Sequence, residues 1–222
     1  MKGILFRPES IQAIIEGRKT QTRRVNKLAN KIAMSYERTW VHFSKRDNWW
    51  ELKGRSEYSD LIEAFVLKPR YQVGETVYIK EAFEYVSLAE KDPWKDKAIA
   101  DGSFRRKPDG LPVAMCYKLD GYEIGTDWLN PLFMPEWAAR YFIVITDVRA
   151  ERLQEIGQTD ISQEGLTLQR MKPNENWEHH IHVNRVNFMR LWNSINKDYP
   201  WESNPWVFRY KFEFTNEFSG HE

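Results

Sequence analysis

"ILFRPESIQAIIEGRKTQTRR" (residues 4–24) changes pattern three times in succession. Ile4, Leu5 and Phe6 form a short apolar run of the buried-strand type. Pro8 then suits the first turn of a helix, where a missing N–H costs nothing. Ile11, Ile14 and Ile15 follow at i, i+3 and i+4, which places them on one helical face. Gly17 is a helix stop. Lys19–Val25 therefore leaves the helix end in an extended or turning conformation. A strand, a short helix and a second extended segment do not repeat along the chain, which argues against a doubly wound parallel sheet.

Working outward, the remaining apolar runs read mostly as strands. "YQVGETVYIKEAFEYV" (71–86) begins with a turn at Val73-Gly74-Glu75 and continues as a strand. "LPVAMCYKLDG" (111–121) is a strand closed by an Asp-Gly turn, and "YFIVITDVRAERL" (141–153) is strongly apolar. "NPWVFRYKFEF" (204–214) alternates Trp206, Phe208, Tyr210, Phe212 and Phe214. Residues 36–68 alternate aromatics around "RDN" and "KGR", which predicts a Trp-rich set of β-hairpins. Residues 87–110 are polar, carry two prolines and two glycines, and read as a long loop. "RLQEIG" and "TDISQEG" are short helical pieces, with Thr159 as N-cap and Gly165 as stop of the second. A longer helix is expected over 175–195, with Val183, Val186, Met189 and Leu191 available to the core. The expected class is α+β: a small β-barrel flanked by helices, forming a single domain over 1–222 with insertions at about 30–70 and 87–110.

Composition limits the function. The chain has 222 residues, 41% hydrophobic and 29% charged, which is ordinary for a water-soluble globular protein. A formal net charge of +1 argues against tight nonspecific binding to long nucleic acid. One cysteine, Cys116, permits no internal disulfide, and no run reaches the length of a membrane span. A cytoplasmic location is the natural expectation, with no membrane partner. Ten tryptophans serve either as core or as stacking surfaces for bases.

Against this neutral background residues 17–36 hold six Lys or Arg and no Asp or Glu. Lys19, Thr22, Arg23 and Arg24 favour an anionic or phosphate-bearing ligand, and Arg can grip phosphate or a base edge with paired hydrogen bonds. A lysine crowded by arginines has reason to lose its proton and act as a general base, with a threonine hydroxyl as nucleophile. The plain alternative is a solvated basic edge after a helix.

"GRKTQTRR" (17–24) resembles the G-x-K-x-x-T-x-R signature of the ASCH domain, a relative of the PUA domain. "YQVGETVYIKEAFEY", "MPEWAARYFIVITDVRAERLQEIGQTDISQEG", "FMRLWNSIN" and "NPWVFRYKFEF" are similar to further segments of that family, and the combination resembles its longer phage and prophage members. The resemblance spans most of the chain apart from 26–70 and 87–110. It implies a PUA-like β-barrel with a cleft for RNA or a nucleotide. It also implies, from a small bacterial member, an amidohydrolase that deacetylates N4-acetylcytidine, with Lys19 as base, Thr22 as nucleophile and Glu164 as proton donor. Arg24 matches the motif arginine, and Arg23 stands beside it. Ala139 replaces the serine of the family's Met-Pro-x-Trp-Ala-Ser-Arg segment. A ribonuclease activity is the third reading that the family offers.

Other residues enter as substrate-binding candidates. Glu81, in "YIKEAF", could pair with Lys19 or accept from a base amino group, or form a structural ion pair. Arg140 could reach phosphate or cap the barrel. Glu175, His179 and His182 share a helical face at i, i+4 and i+7, but no fourth zinc ligand is indicated, so no metal and no cofactor is expected. Trp49 and Trp50 could stack on bases or pack their own hairpin. A carboxylate at 164 could equally face water or pair with Arg24.

Overall fold

A computed structural model describes residues 1–36, 38–44, 49–55, 62–89, 91–121, 128–166 and 177–215, with backbone alone at 43–44 and 177–180. In chain order the elements are β1 (Gly3–Leu5), α1 (Pro8–Ile15), β2 (Gln21–Val25), α2 (Lys27–Ala33), β3 (Arg38–Ser44), β4 (Trp49–Arg55), β5 (Ile62–Leu67) and β6 (Thr76–Lys80). There follow β7 (Phe83–Ser87), α3 (Pro93–Ala100), β8 (Phe104–Arg106), β9 (Pro112–Tyr117), β10 (Phe142–Arg152), α4 (Gln158–Gln163), α5 (Trp177–Ile195) and β11 (Trp206–Thr215). The α+β class holds. Among the described residues the strands pair into three open sheets, so the expected closed barrel is not formed.

The chain divides into two compact units, each discontinuous in sequence. The first comprises residues 1–15, 76–144 and 214–222. Here β1 runs parallel to β6, with Ile4 opposite Ile79, and β6 pairs antiparallel with the start of β10. A second sheet has the order β7-β9-β8. The core includes Tyr78, Phe83, Val113, Met115, Tyr117 and Met134. The strand expected over 76–86 is interrupted at Glu81-Ala82, so its halves belong to different sheets.

The expected loop at 87–110 contains α3 and β8. Asp92 accepts a hydrogen bond from Trp94 N at 2.9 Å, and Pro93 occupies the first helical turn. Aspartate followed by proline is a helix start signal of the kind read at Pro8. It was masked here by the polarity of its surroundings.

The second unit comprises residues 16–75 and 145–213. Its strand order runs β10-β11-β2, leaving β2 at the sheet edge, and β3-β4-β5 form an antiparallel sheet. The Trp-rich hairpins are thus present, but "KGR" lies within β4 and is no turn. Asn30 of α2 anchors the start of β11: its side chain accepts from Trp206 N at 2.7 Å and donates to Trp206 O at 3.0 Å.

The core of this unit gathers Leu153, Ile161, Phe188, Trp192, Trp201 and Val207. The inward residues of α5 are Asn184, Phe188 and Trp192, spaced by four, whereas Val183, Val186, Met189 and Leu191 are only partly buried. At α4 the N-cap is Gly157, not Thr159, and Asp160 accepts from Gly157 N at 3.2 Å. A carboxylate one turn in serves the helix start better than a hydroxyl already inside it.

Candidate functional site

Gly17 (φ +73°) and Gly165 (φ +86°) adopt the left-handed backbone that favours glycine. The first redirects the chain ahead of β2, and the second ends the α4 segment. Between them two short stretches meet. Lys19 and Glu164 form an antiparallel bridge, and Thr20 N donates to Gln163 O at 2.9 Å. On its other side Thr20 O accepts from Phe212 N of β11 at 2.9 Å. The Lys19 side chain is thereby carried inward beside the Glu164 carboxylate.

Lys19 Nζ donates to Glu164 Oε2 at 2.9 Å and to Glu164 O at 2.7 Å. The other carboxylate oxygen, Oε1, accepts from Arg23 Nη1 at 3.0 Å. Arg23 Nε reaches Glu151 Oε1 at 2.8 Å, and Nη2 lies 3.2 Å from Asp160 Oδ2. Gln21 Nε2 donates to Asp160 Oδ1 at 3.1 Å. The side chains of Lys19, Arg23, Glu151 and Glu164 are 5%, 1%, 6% and 7% exposed. For Lys19 and Arg23 this overturns the solvated basic edge: both lie inside, matched by carboxylates, whereas Arg18 of the same motif is exposed and pairs with Glu16. An ion pair at this depth persists only where its charges are mutually satisfied.

Burial holds the Lys19 amine below its usual range, with Glu164 opposing and Arg24 and Arg23 assisting. Burial likewise pushes Glu151 up, against the pull of Arg23 and Arg209. Asp160 is also partly desolvated, which alone would raise it. Its hydrogen bond from Gly157 N and the nearby Arg23 outweigh that and hold it low.

Alternation along β2 separates two faces. Gln21 and Arg23 turn to the carboxylates. Thr22 and Arg24 turn the other way, with Thr22 opposite Tyr210 and Arg24 opposite Phe208 in β11. Tyr210 stands edge-on to Tyr71 at 5.3 Å, and its hydroxyl, pushed up to about 12 by burial, accepts from Arg70 N at 3.1 Å. Thr22 is 5% exposed. Burial also lowers Arg24, whose charge feels Tyr71, Glu164, Tyr210 and Arg70.

The fold thus brings Lys19, Arg23 and Glu164 into direct contact and places Thr22 at the start of the same strand. The contact between Lys19 and Glu164 does not itself include the Thr22 hydroxyl. Glu164 does not face water: its side chain is 7% exposed and pairs with Lys19 and Arg23. Glu151 and Asp160 were missed as partners of Arg23. The available signal was a charge balance: six cations in one stretch of a nearly neutral chain require carboxylates elsewhere.

Glu81 and Arg140 form a separate cluster in the first unit. Arg140 donates to both Glu81 oxygens at 2.9 Å and to Asp120 Oδ2 at 2.8 Å. Its guanidinium lies 3.9 Å from the Tyr117 ring centroid and 4.5 Å from that of Tyr141. Of the roles open to Glu81, the structural ion pair is the one formed. Glu175 and His179 lie outside the residues whose side chains are described, and no group of metal-ligating side chains occurs among those that are. Trp49 is 36% exposed and donates to Glu51 of its own strand. No described helix is long and apolar enough to cross a membrane.

Comparison with protein-family models, curated proteins and solved structures finds no match to this chain.

Proposed function

We propose that the protein binds RNA or a nucleotide-like ligand beside β2, and that Lys19, Thr22 and Glu164 act there as an amidohydrolase on an acylated nucleoside of the N4-acetylcytidine type. The observation that carries the chemistry is the buried 2.9 Å contact between Lys19 Nζ and Glu164 Oε2. A lysine depressed by burial is suited to accept a proton, and a carboxyl in hydrogen-bond contact with it is suited to deliver one. The ASCH-like spacing of residues 17–24 supports the ligand class.

In this reading Thr22 Oγ attacks the acyl carbonyl while Lys19 takes the hydroxyl proton. The C–N bond breaks, and Glu164 protonates the leaving amine, which departs as the free nucleoside. Water then hydrolyses the acyl-Thr22 ester, releasing the carboxylate and restoring the hydroxyl. Arg23 keeps Glu164 in place, with its guanidinium turned to Glu151 and Asp160, and Arg24, the arginine that matches the motif, is the candidate for phosphate.

Thr22→Val preserves a β-branched side chain and removes the nucleophile. Turnover of N4-acetylcytidine, followed by chromatography, is expected to fall by about 10²–10⁴-fold in this variant with unchanged circular dichroism. Turnover that survives in Thr22→Val excludes the mechanism. An inactive wild type that still binds cytidine-containing RNA leaves a non-catalytic reader.

A further inference from the structure

The 87–110 segment builds a feature that the β2 site does not use. Where α3 lies over β8 and β9, a cavity of about 340 Å³ opens in the first unit. Its walls are mainly apolar, including Leu88, Ala98 and Met115. Asp92, Trp94, Lys97 and Asp101 also line it. Its volume falls within the range of small-molecule sites, which are typically about 300–1,000 Å³.

The charged groups around it are unequal. Two aspartates and one lysine stand among the lining residues. Asp92 Oδ1 accepts from Trp94 N at 2.9 Å, and Asp101 Oδ1 accepts from Ser103 N at 2.9 Å. Hydrogen bonds from the Ser103 side chain and backbone hold Asp101 below the usual carboxylate range, so it stays charged near neutrality. Trp94 is 62% exposed, and Lys97 Nζ sits 4.8 Å from its ring centroid. The chain's own ammonium therefore occupies the face of Trp94, an aromatic residue of the cavity wall, near a fixed negative charge. Such a face is attractive to cations.

We propose that this cavity is a second binding site, selective for a small organic cation that carries an ammonium on an apolar body. The ammonium takes the place of Lys97 over Trp94, facing Asp92 and Asp101. The apolar body fills the space against Leu88 and Met115. A neutral ligand of the same shape gains only the second contact, and an anion is repelled by the two carboxylates.

The test uses the full chain labelled with ¹³C-methyl methionine, in which Met115 reports from the cavity wall. Its signal is assigned with Met115→Leu. Phenethylammonium, 2-phenylethanol and phenylacetate are titrated separately at neutral pH. The ammonium compound should move the Met115 methyl and bind about tenfold more tightly than the alcohol, with the carboxylate weakest. Asp101→Asn keeps an acceptor for Ser103 N but removes the charge. In that variant the preference for ammonium should shrink towards one, while the alcohol still shifts Met115. Equal affinity for the ammonium and the alcohol in the wild type, tighter binding of the carboxylate, or no Met115 shift with any probe at millimolar concentration overturns the proposal.

Discussion

Arg23 and Arg140 solve the same problem in different ways. Each is an arginine that neutralises a deeply buried glutamate. Arg140 grips Glu81 with two parallel hydrogen bonds, adds Asp120, and is flanked by two tyrosine rings. Its side chain is 17% exposed, and that of Asp120 is 35% exposed, so water still reaches the edge of the cluster. Arg23 is 1% exposed and spreads its donors over Glu151, Asp160 and Glu164. Only the Arg23 cluster includes a lysine. An arginine–carboxylate pair has no proton to give near neutrality, since guanidinium stays charged. A buried lysine beside a carboxylate holds a proton that can move, which is why the proposed chemistry rests on this cluster and not on the other.

The contrast predicts unequal costs of breaking each cluster. Arg23→Met leaves buried carboxylates without their cation and should lower stability by about 3–5 kcal/mol. Arg140→Met should cost less, about 1–3 kcal/mol, because water can reach Asp120. Urea unfolding of both variants decides this. A larger loss in Arg140→Met would mean that exposure does not set the difference.

The pH dependence sharpens the comparison. Asp160 is held low in the folded protein. Its contribution is therefore present above the unfolded value, near 4, and is lost as pH falls through the folded one. Asp160→Asn should flatten the loss of stability in acid. Glu81 is displaced the other way, because burial outweighs the hydrogen bonds from Arg140. Its contribution is fullest below the unfolded value, near 4.3, and declines as pH rises through the folded one. Glu81→Gln should remove that decline. Unfolding curves between acid and neutral pH measure both slopes, and slopes of the same sign would contradict the assigned environments.

The smallest effect concerns the ring stack. Tyr141→Leu keeps an apolar side chain and removes one aromatic face from Arg140. It should cost about 0.5–1 kcal/mol. Thermal unfolding indistinguishable from wild type would show that the Tyr141 face adds nothing to the hold of Tyr117 and the two carboxylates on Arg140.

Legibility followed the range of the interaction. α1, β10 and β11 could be read because their periodicity is local and strong. The start of α3 was encoded in Asp92-Pro93 but lay within a polar stretch whose overall character suggested a loop. "KGR" looked like a turn because Gly54 was judged by residue type. In the sheet it is β4 backbone paired with both neighbours, and a Cβ there would come within 2.6 Å of the Tyr36 ring. Thr159 was favoured as a cap on residue type too, while Gly157 and Asp160 perform that function together. At the site, Lys19, Thr22 and Glu164 were selected from motif and family likeness, and the fold joins two of them directly. Glu151 and Asp160 carried no local mark of their partnership with Arg23.

The sequence by itself determined the α+β character, the neutral charge balance, and which side chains alternate along β2. These depend on neighbours a few residues apart. Tertiary structure decided that the open strands do not close into a barrel among the described residues, and that Lys19 and Arg23 of the basic motif are buried and paired. Arg23 and Glu151 are 128 residues apart, and Lys19 and Glu164 are 145 apart. Contacts over such separations follow from strand register and from where α4 ends. Neither is written in the composition of any one segment, because each is fixed only when distant strands share hydrogen bonds and a common core.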